Sequence, residues 1–380
     1  MNKDLLITNA KIVTPTDVID GSVVVTDGLF SQIDESMSDL TQAEDFEGDY
    51  LLPGFVELHT DNLEKHFKPR PGVSWPSEAA VMAHDAQMAT SGVTTVLDAI
   101  RVGDTWPSEN LRSNAKRIAQ AIKTEKKKNT LRCEHLLHIR CEISCSDVID
   151  QFEGFAEEKN LKLVSIMDHT PGQRQFVDED KYREYYQGKY SISDIEIDRM
   201  IAQQKVDQSR YSRKHRSILV EYAEKIGVPL ASHDDAIIAH VEEAAGEGVT
   251  ISEFPTTLEA AHAARGHKMK VLMGAPNLVL RGSHSGNISA MELAHQGLLN
   301  ILSSDNVTNS LLHGGFMVAH QTEIKLPEAI AMASLTPAKM VGLDDRGEIS
   351  EGKKADFLRV RLEGNIPVIR SVWRDGGRVA

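Results

Sequence analysis

Six residues scattered along the chain have the chemistry of divalent-metal ligands, and they recur in the same kind of place. His59 and Asp61 stand two residues apart, just after the apolar run Phe55 to Leu58 that follows the Pro53-Gly54 turn signal. If that run is a buried strand, positions i and i+2 share a face, so the imidazole and the carboxylate emerge together. Glu142 ends Arg140-Cys141-Glu142, His169 follows Ser165-Ile166-Met167-Asp168, His233 follows Ala231-Ser232, and Asp305 follows Ser303-Ser304. Three imidazoles and three carboxylates suit one or two divalent ions such as Zn²⁺ or Mn²⁺. Each has a plainer reading when taken alone. Thr60, Asp61 and Asn62 could cap a helix, Glu142 could pair with Arg140 or Lys162, and Asp305 could cap the next helix. Repetition at five strand ends favours the metal.

A second set of residues suits an anion. Arg281-Gly282-Ser283-His284-Ser285-Gly286-Asn287 gathers donors and glycines in one short loop. Backbone N–H groups, a guanidinium and hydroxyls can converge on a phosphate there. His169-Thr170-Pro171-Gly172-Gln173-Arg174 and Lys68-Pro69-Arg70-Pro71-Gly72 also set turn residues beside arginine. The alternative for each is an exposed loop with solvated charges. None is a P-loop, which needs Gly-Lys-Ser/Thr opening a helix.

The elements that must position these residues alternate. Apolar runs at 55–61, 93–100, 136–143, 161–169, 229–235, 249–254, 270–275 and 300–306 are separated by longer segments of helical texture. Strand and helix repeated in this way predict a parallel sheet, and the length suits a (β/α)₈ TIM-type barrel, whose chemistry gathers at the C-terminal strand ends. An open doubly wound sheet is the alternative, but no glycine-rich dinucleotide loop follows any of the runs. The domain reading is a barrel over 53–341 and a small β-sandwich domain built from both termini, 1–52 and 342–380. An insertion at about 171–228, rich in tyrosine and then helical, is expected to act as a lid or dimer contact. Residues 326–340 read as a final helix.

Composition bounds the function. With 41% hydrophobic and 26% charged residues this is an ordinary soluble globular chain, and no run approaches the length of a membrane span. The first residues alternate polar and apolar without the pattern of a secretory signal. Three cysteines in no metal-knuckle spacing suit a reducing, cytoplasmic setting. A net charge of −14 argues against nucleic acid and anionic membranes as partners. It leaves room for an anionic small molecule where metal and arginine invert the local field.

The motifs Leu52-Pro53-Gly54-Phe55-Val56-Glu57-Leu58-His59, Thr336-Pro337-Ala338 and Asp345-Arg346-Gly347-Glu348-Ile349 resemble the amidohydrolase superfamily along the whole chain. The resemblance implies a metal-dependent barrel carrying a small β-domain. Asp61 stands where most members have a second histidine, and Glu142 looks like the anionic substitute for a carbamylated lysine. Those departures, with Ala83-His84-Asp85-Ala86-Gln87, Ser232-His233-Asp234-Asp235 and Met273-Gly274-Ala275-Pro276-Asn277, are similar to a subgroup of ribose-triphosphate diphosphatases of phosphonate degradation. By implication the substrate is a phosphorylated ribose bearing a 1-methylphosphonate and a 5-triphosphate, which loses pyrophosphate to leave the 5-phosphate. His59, Asp61, His169, His233 and Asp305 would hold the metal, with Glu142 bridging two ions. Asp305 would also be catalytic, orienting water and accepting its proton. Arg281, Ser283, His284, Arg174, Gln173, Arg70, His66 and Asn277 would bind substrate, and a homodimer is expected. The rival reactions are hydrolysis of a cyclic or linear amide C–N bond, of dihydroorotase or D-aminoacylase type; a non-catalytic scaffold would have lost ligands.

Overall fold

The computed structural model describes residues 4–70, 72–103, 111–174, 179–190, 192–282 and 286–380. Among these, sixteen strands form two sheets. The first sheet begins with β1 (Leu5–Val13), β2 (Val18–Thr26), β3 (Leu29–Asp34), β4 (Glu44–Asp45) and β5 (Tyr50–Pro53). The second is parallel: β6 (Phe55–Thr60), β7 (Val93–Val102), β8 (Glu134–Glu142), β9 (Leu161–Met167), β10 (Leu230–His233), β11 (Ile251–Glu253), β12 (Lys270–Gly274) and β13 (Leu299–Ser303). Its strands follow one another in chain order, and a parallel bridge between Thr60 and Asp305 brings the last back to the first. This is the (β/α)₈ barrel. Strands such as β6, buried at every position, read as unbroken apolar runs because both faces are covered. The chain then returns to the first sheet with β14 (Phe357–Glu363), β15 (Ile366–Arg374) and β16 (Gly377–Arg378).

The chain forms two compact units. One comprises residues 1–98, 120–136 and 273–380, the other 99–119 and 137–272. In the first, the terminal sheet runs β16-β15-β14-β5-β1-β2-β3, with β4 beside β1. It is a single sheet with its own buried core, which includes Ile7, Phe46, Leu51 and Trp373. Phe30 lies 6.0 Å from Phe357, and Trp373 stacks on Phe357 at 4.6 Å. The edge strand β3 is tied to the segment before β14 by Phe30 N–H to the Lys353 carbonyl at 2.9 Å. The final helix read at 326–340 is two, Leu326–Ala331 and Leu335–Met340. The break comes at Ser334, whose φ of −135° and ψ of −80° are not helical.

In the second unit the insertion is ordered as helices Glu179–Tyr190 and Asp194–Ile226. The longer one spans about 50 Å at 1.5 Å per residue. It starts in a capping box, with Ser193 accepting from Glu196 N–H and Glu196 reaching back to Ser193 N–H. Its anchors are spaced along it: Gln204 accepts from Tyr182, Gln208 donates to Asp168, His215 meets the Ile143 carbonyl and Arg216 pairs with Glu247. All three cysteines are buried thiols. Among the described residues, no helix is long and apolar enough to cross a membrane.

A buried polar chain holds the helix Ser77–Thr90 to the first unit's strands. His84 Nε2 lies 3.1 Å from Asp98 Oδ1, His135 Nδ1 2.8 Å from Asp98 Oδ2, and His135 Nε2 3.2 Å from Asp85 Oδ1. Burial lowers the pKa of His135, but the Asp98 charge and bonds to both carboxylates outweigh it and hold the imidazolium up to about 9. Both of its nitrogens are engaged, forming a carboxylate–imidazolium–carboxylate chain. The folded pKa stands above the ordinary value of 6.5, so this stabilisation is whole below about pH 6.5 and lost as pH rises through about 9. We expect His135→Gln to cost on the order of 2–3 kcal/mol at pH 6 and much less at pH 9.5. Urea midpoints at the two pH values check this; an equal cost at both would show that His135 carries no pH-linked stability.

Candidate active site

In the first unit the candidate ligands His59, Asp61 and Asp305 are brought together by a buried carboxylate two residues upstream. Glu57 Oε1 accepts the His59 N–H at 2.7 Å and Oε2 accepts the Ser304 N–H at 2.6 Å, joining the ends of β6 and β13. Burial pushes its pKa up to about 7, against the pull of those donors. Asp305 is then pinned through its backbone. Its N–H donates to the His59 carbonyl at 3.1 Å, and its own carbonyl accepts the Asp61 N–H at 2.9 Å. Its φ of +49° is a left-handed value that aspartate tolerates better than most residues. His59 is buried, and its Nε2 stands 3.8 Å from Asp61 Oδ1.

The capping alternatives fail. Asp61 precedes the helix Asn62–Phe67 but its side chain accepts no helix N–H. The Asn62 amide donates to Thr60 Oγ1 and the Asp305 carbonyl, so it does not cap either. The residue preceding the helix Ser310–Gln321 is Asn309, which removes that role from Asp305.

In the second unit Glu142, His169 and His233 also meet. Glu142 Oε2 lies 2.6 Å from His169 Nδ1, while Oε1 accepts the His169 N–H at 3.0 Å and the Ser144 hydroxyl at 3.0 Å. Burial raises the Glu142 pKa, but His169 and the Arg101 charge overcome it and hold the carboxyl at about 2. Both oxygens therefore contact His169, and Oε1 is shared with Ser144. His233 is held alike, with Nδ1 3.2 Å from Glu253 Oε2. Burial lowers the His233 pKa, which keeps the imidazole neutral as a ligand requires. The two rings meet edge-on at 5.5 Å, and their Nε2 atoms stand 3.8 Å (His169) and 3.4 Å (His233) from Asp234 Oδ2. Two imidazoles, each oriented through its far nitrogen by a carboxylate, form the arrangement in which histidines hold metal. The donor set fits a divalent ion.

Two arginines join this group. Arg101 Nη2 lies 3.0 Å from His169 Nδ1, and the buried Arg140 brings Nη2 to 3.5 Å from His233 Nε2. Arg101, Arg140, Asp234, Glu253 and Glu57 were not read as site residues from the sequence. Glu253 ends β11 as Glu142 ends β8, so the strand-end rule applied to every strand points to it. Glu57 is signalled by its i−2 spacing from His59. Arg101 directly follows the run 93–100, so the same strand-end rule points to it.

The substrate-binding candidates fare differently. Arg174 is buried and paired with Asp235, and it donates to the His233 carbonyl at 3.4 Å, so its charge serves the β10 turn. Gln173 is half-buried in the turn beside it. Asn277 accepts the Ala290 N–H at 2.9 Å and donates to the Ile288 carbonyl at 3.3 Å. Arg281 is exposed at the start of that loop with φ +59°. Ser283 and His284 lie outside the described residues. His66 bonds Gln87 at 2.8 Å and lines a cavity of about 520 Å³ with Asn62, Lys65, Asn306 and Thr308. Arg70 is exposed in a short bridge with Val73.

A barrel that holds candidate metal ligands at its strand ends is the architecture of amidohydrolases, and the comparisons agree. The model of the Amidohydrolase family matches residues 211–379. The chain resembles N-acetylglucosamine-6-phosphate deacetylase from Pasteurella multocida, with a TM-score of 0.65 at 13% identity over 99% of each chain. It also resembles dihydropyrimidinase from Brevibacillus agri, with a TM-score of 0.60 at 14% identity over 99% of this chain and 95% of the other. At these identities the likeness is one of fold. The chain belongs to the amidohydrolase family, and it shares 46% identity over 377 residues, 99% of its length and 100% of the relative's, with the alpha-D-ribose 1-methylphosphonate 5-triphosphate diphosphatase of Escherichia coli (strain K12).

Because Glu253 holds the far nitrogen of His233, Glu253→Gln is expected to weaken Zn²⁺ or Mn²⁺ affinity about 10- to 100-fold. Competition with a chromophoric chelator measures it, and unchanged affinity would make the Glu253–His233 bond incidental.

Proposed function

We propose that this protein is a metal-dependent diphosphatase that hydrolyses alpha-D-ribose 1-methylphosphonate 5-triphosphate to the 5-phosphate and pyrophosphate, in the degradation of phosphonates. The observation that carries the reading is 46% identity, spread over the full length of both chains, with a diphosphatase of that activity. The ligand groups at the barrel's strand ends support the metal-dependent part of it. Zn²⁺ or Mn²⁺ suits their mixed nitrogen and oxygen donors. A cytoplasmic homodimer is the expected form.

His169 and His233 in one unit, and His59 and Asp61 with Asp305 in the other, are the residues that would hold one or two ions. A bound divalent ion supplies Lewis acidity at a phosphoryl oxygen and acidifies water toward neutral pH. The chain's own residues do the rest. Asp305, fixed by its backbone to the end of β6, orients the attacking water toward the phosphorus next to the sugar and accepts its proton. Arg101 and Arg140 are placed to offset charge on the phosphates, a role read from sequence for Arg174 and Arg281. Arginine suits that role because its fork of donors meets phosphate oxygens in pairs.

Phosphorus NMR of the products from the ribose 5-triphosphate tests the activity, with ATP as comparator. Equal amounts of pyrophosphate and 5-phosphate are expected; stepwise release of orthophosphate, or turnover only of an amide substrate, would contradict the reading. Asp305→Asn should keep its metal yet lose about 10²- to 10⁴-fold in kcat. A near-normal kcat would remove Asp305 from the proton-accepting role.

A further inference from the structure

Asp234 is buried, at 4% exposure, and among the described residues its Oδ2 has no hydrogen-bond partner. A carboxylate oxygen withdrawn from water and left unbonded costs folding free energy, so its place needs a cause. The backbone adds to that cost. Asp234 has φ +56°, in the left-handed region, and its N–H is fixed to the Glu253 carbonyl at 2.9 Å. The chain thus adopts an uncommon conformation at the end of β10 and holds it against β11.

What that conformation does is turn Oδ2 toward two imidazole nitrogens. His233 Nε2 is 3.4 Å away and His169 Nε2 is 3.8 Å away, while the far nitrogens of both rings are taken by Glu253 and Glu142. Nitrogen and oxygen ligands at about 2.0–2.1 Å from a tetrahedral Zn²⁺ stand about 3.3–3.4 Å apart. The Asp234 oxygen meets that spacing with His233 and lies about half an ångström beyond it with His169, and one ligand atom from each of the three residues lies within 4.8 Å of the others.

We infer that Asp234 is a metal ligand, closing with His169 and His233 a three-ligand centre built entirely within residues 99–119 and 137–272. The inference rests on the reading of the protein as a metal-dependent hydrolase and adds to it a ligand that strand-end spacing did not supply. Three protein ligands leave a fourth position for water or a phosphate oxygen, as in sites where zinc is catalytic. Arg140, 3.5 Å from His233 Nε2, would have to turn from that nitrogen when an ion takes it.

The test is ion binding, not turnover. Chelator-stripped full-length protein is titrated with Zn²⁺ against a chromophoric competitor and with Co²⁺ followed by its visible spectrum. It is run as the wild type and in a His59→Ala background that disables the other ligand group. Asp234→Asn is the first variant, since asparagine also tolerates a left-handed backbone; Asp234→Ser is the second. The expected result is at least about a 100-fold loss of affinity in the His59→Ala background, beyond what losing an orienting partner costs. The Co²⁺ bands should be altered, and the melting temperature of the stripped protein should not fall. Wild-type affinity and an unchanged Co²⁺ spectrum in both variants would overturn the assignment and leave the metal-dependent reading standing. A lowered melting temperature with unchanged affinity would do the same, making Asp234 structural. A wild-type protein that takes up no ion would overturn both.

Discussion

Imidazoles fixed by buried carboxylates are the constraint on which the site depends. A histidine can serve a metal only if neutral and correctly turned, and the turn is set through its far nitrogen. Glu142 does this for His169 and Glu253 for His233, each from the end of a barrel strand. At His233 burial favours the neutral ring against the pull of Glu253, but burial alone would leave its orientation free. The carboxylates supply the orientation, and each is in turn supported by further donors, as Ser144 supports Glu142 and Ser165 supports Glu253.

The first unit solves the same problem through the backbone. Glu57 uses both oxygens on backbone N–H groups, fixing His59 to Ser304 and so the last strand to the first. Asp305, with its left-handed φ, follows from that closure, and its carbonyl is held by the Asp61 N–H. Residues far apart in sequence become one group because the barrel returns on itself. The buried chain of His84, Asp98, His135 and Asp85 has similar residue types but a different purpose: its rings and carboxylates bond one another and hold the helix Ser77–Thr90 to the strands.

Much of this was legible in the sequence, for identifiable reasons. Strands of a parallel barrel are apolar on both faces, so the run ending at His59 and those ending near Glu142, His169 and Asp305 stood out against polar helices. The candidate ligands stood out because each lies at the end of such a run. Arg174 and Asn277 were read as substrate contacts because type and turn context were all the sequence offered. Arg174 pairs with Asp235, and Asn277 bonds the backbone of Ile288 and Ala290, which only the tertiary structure reveals. Asp234 was hidden beside His233 because strand periodicity assigns neighbours to opposite faces; the left-handed backbone breaks that rule. The division of labour between a ligand and the carboxylate that orients it is likewise set by which nitrogen each touches, and no spacing encodes it.

The central claim is that water is directed at the phosphorus adjoining the sugar. Hydrolysis of the ribose 5-triphosphate in ¹⁸O-enriched water, read from isotope shifts in the phosphorus spectrum, tests it most directly. The account requires the label in the ribose 5-phosphate and none in pyrophosphate; label in pyrophosphate would place the attack on the neighbouring phosphorus and contradict it.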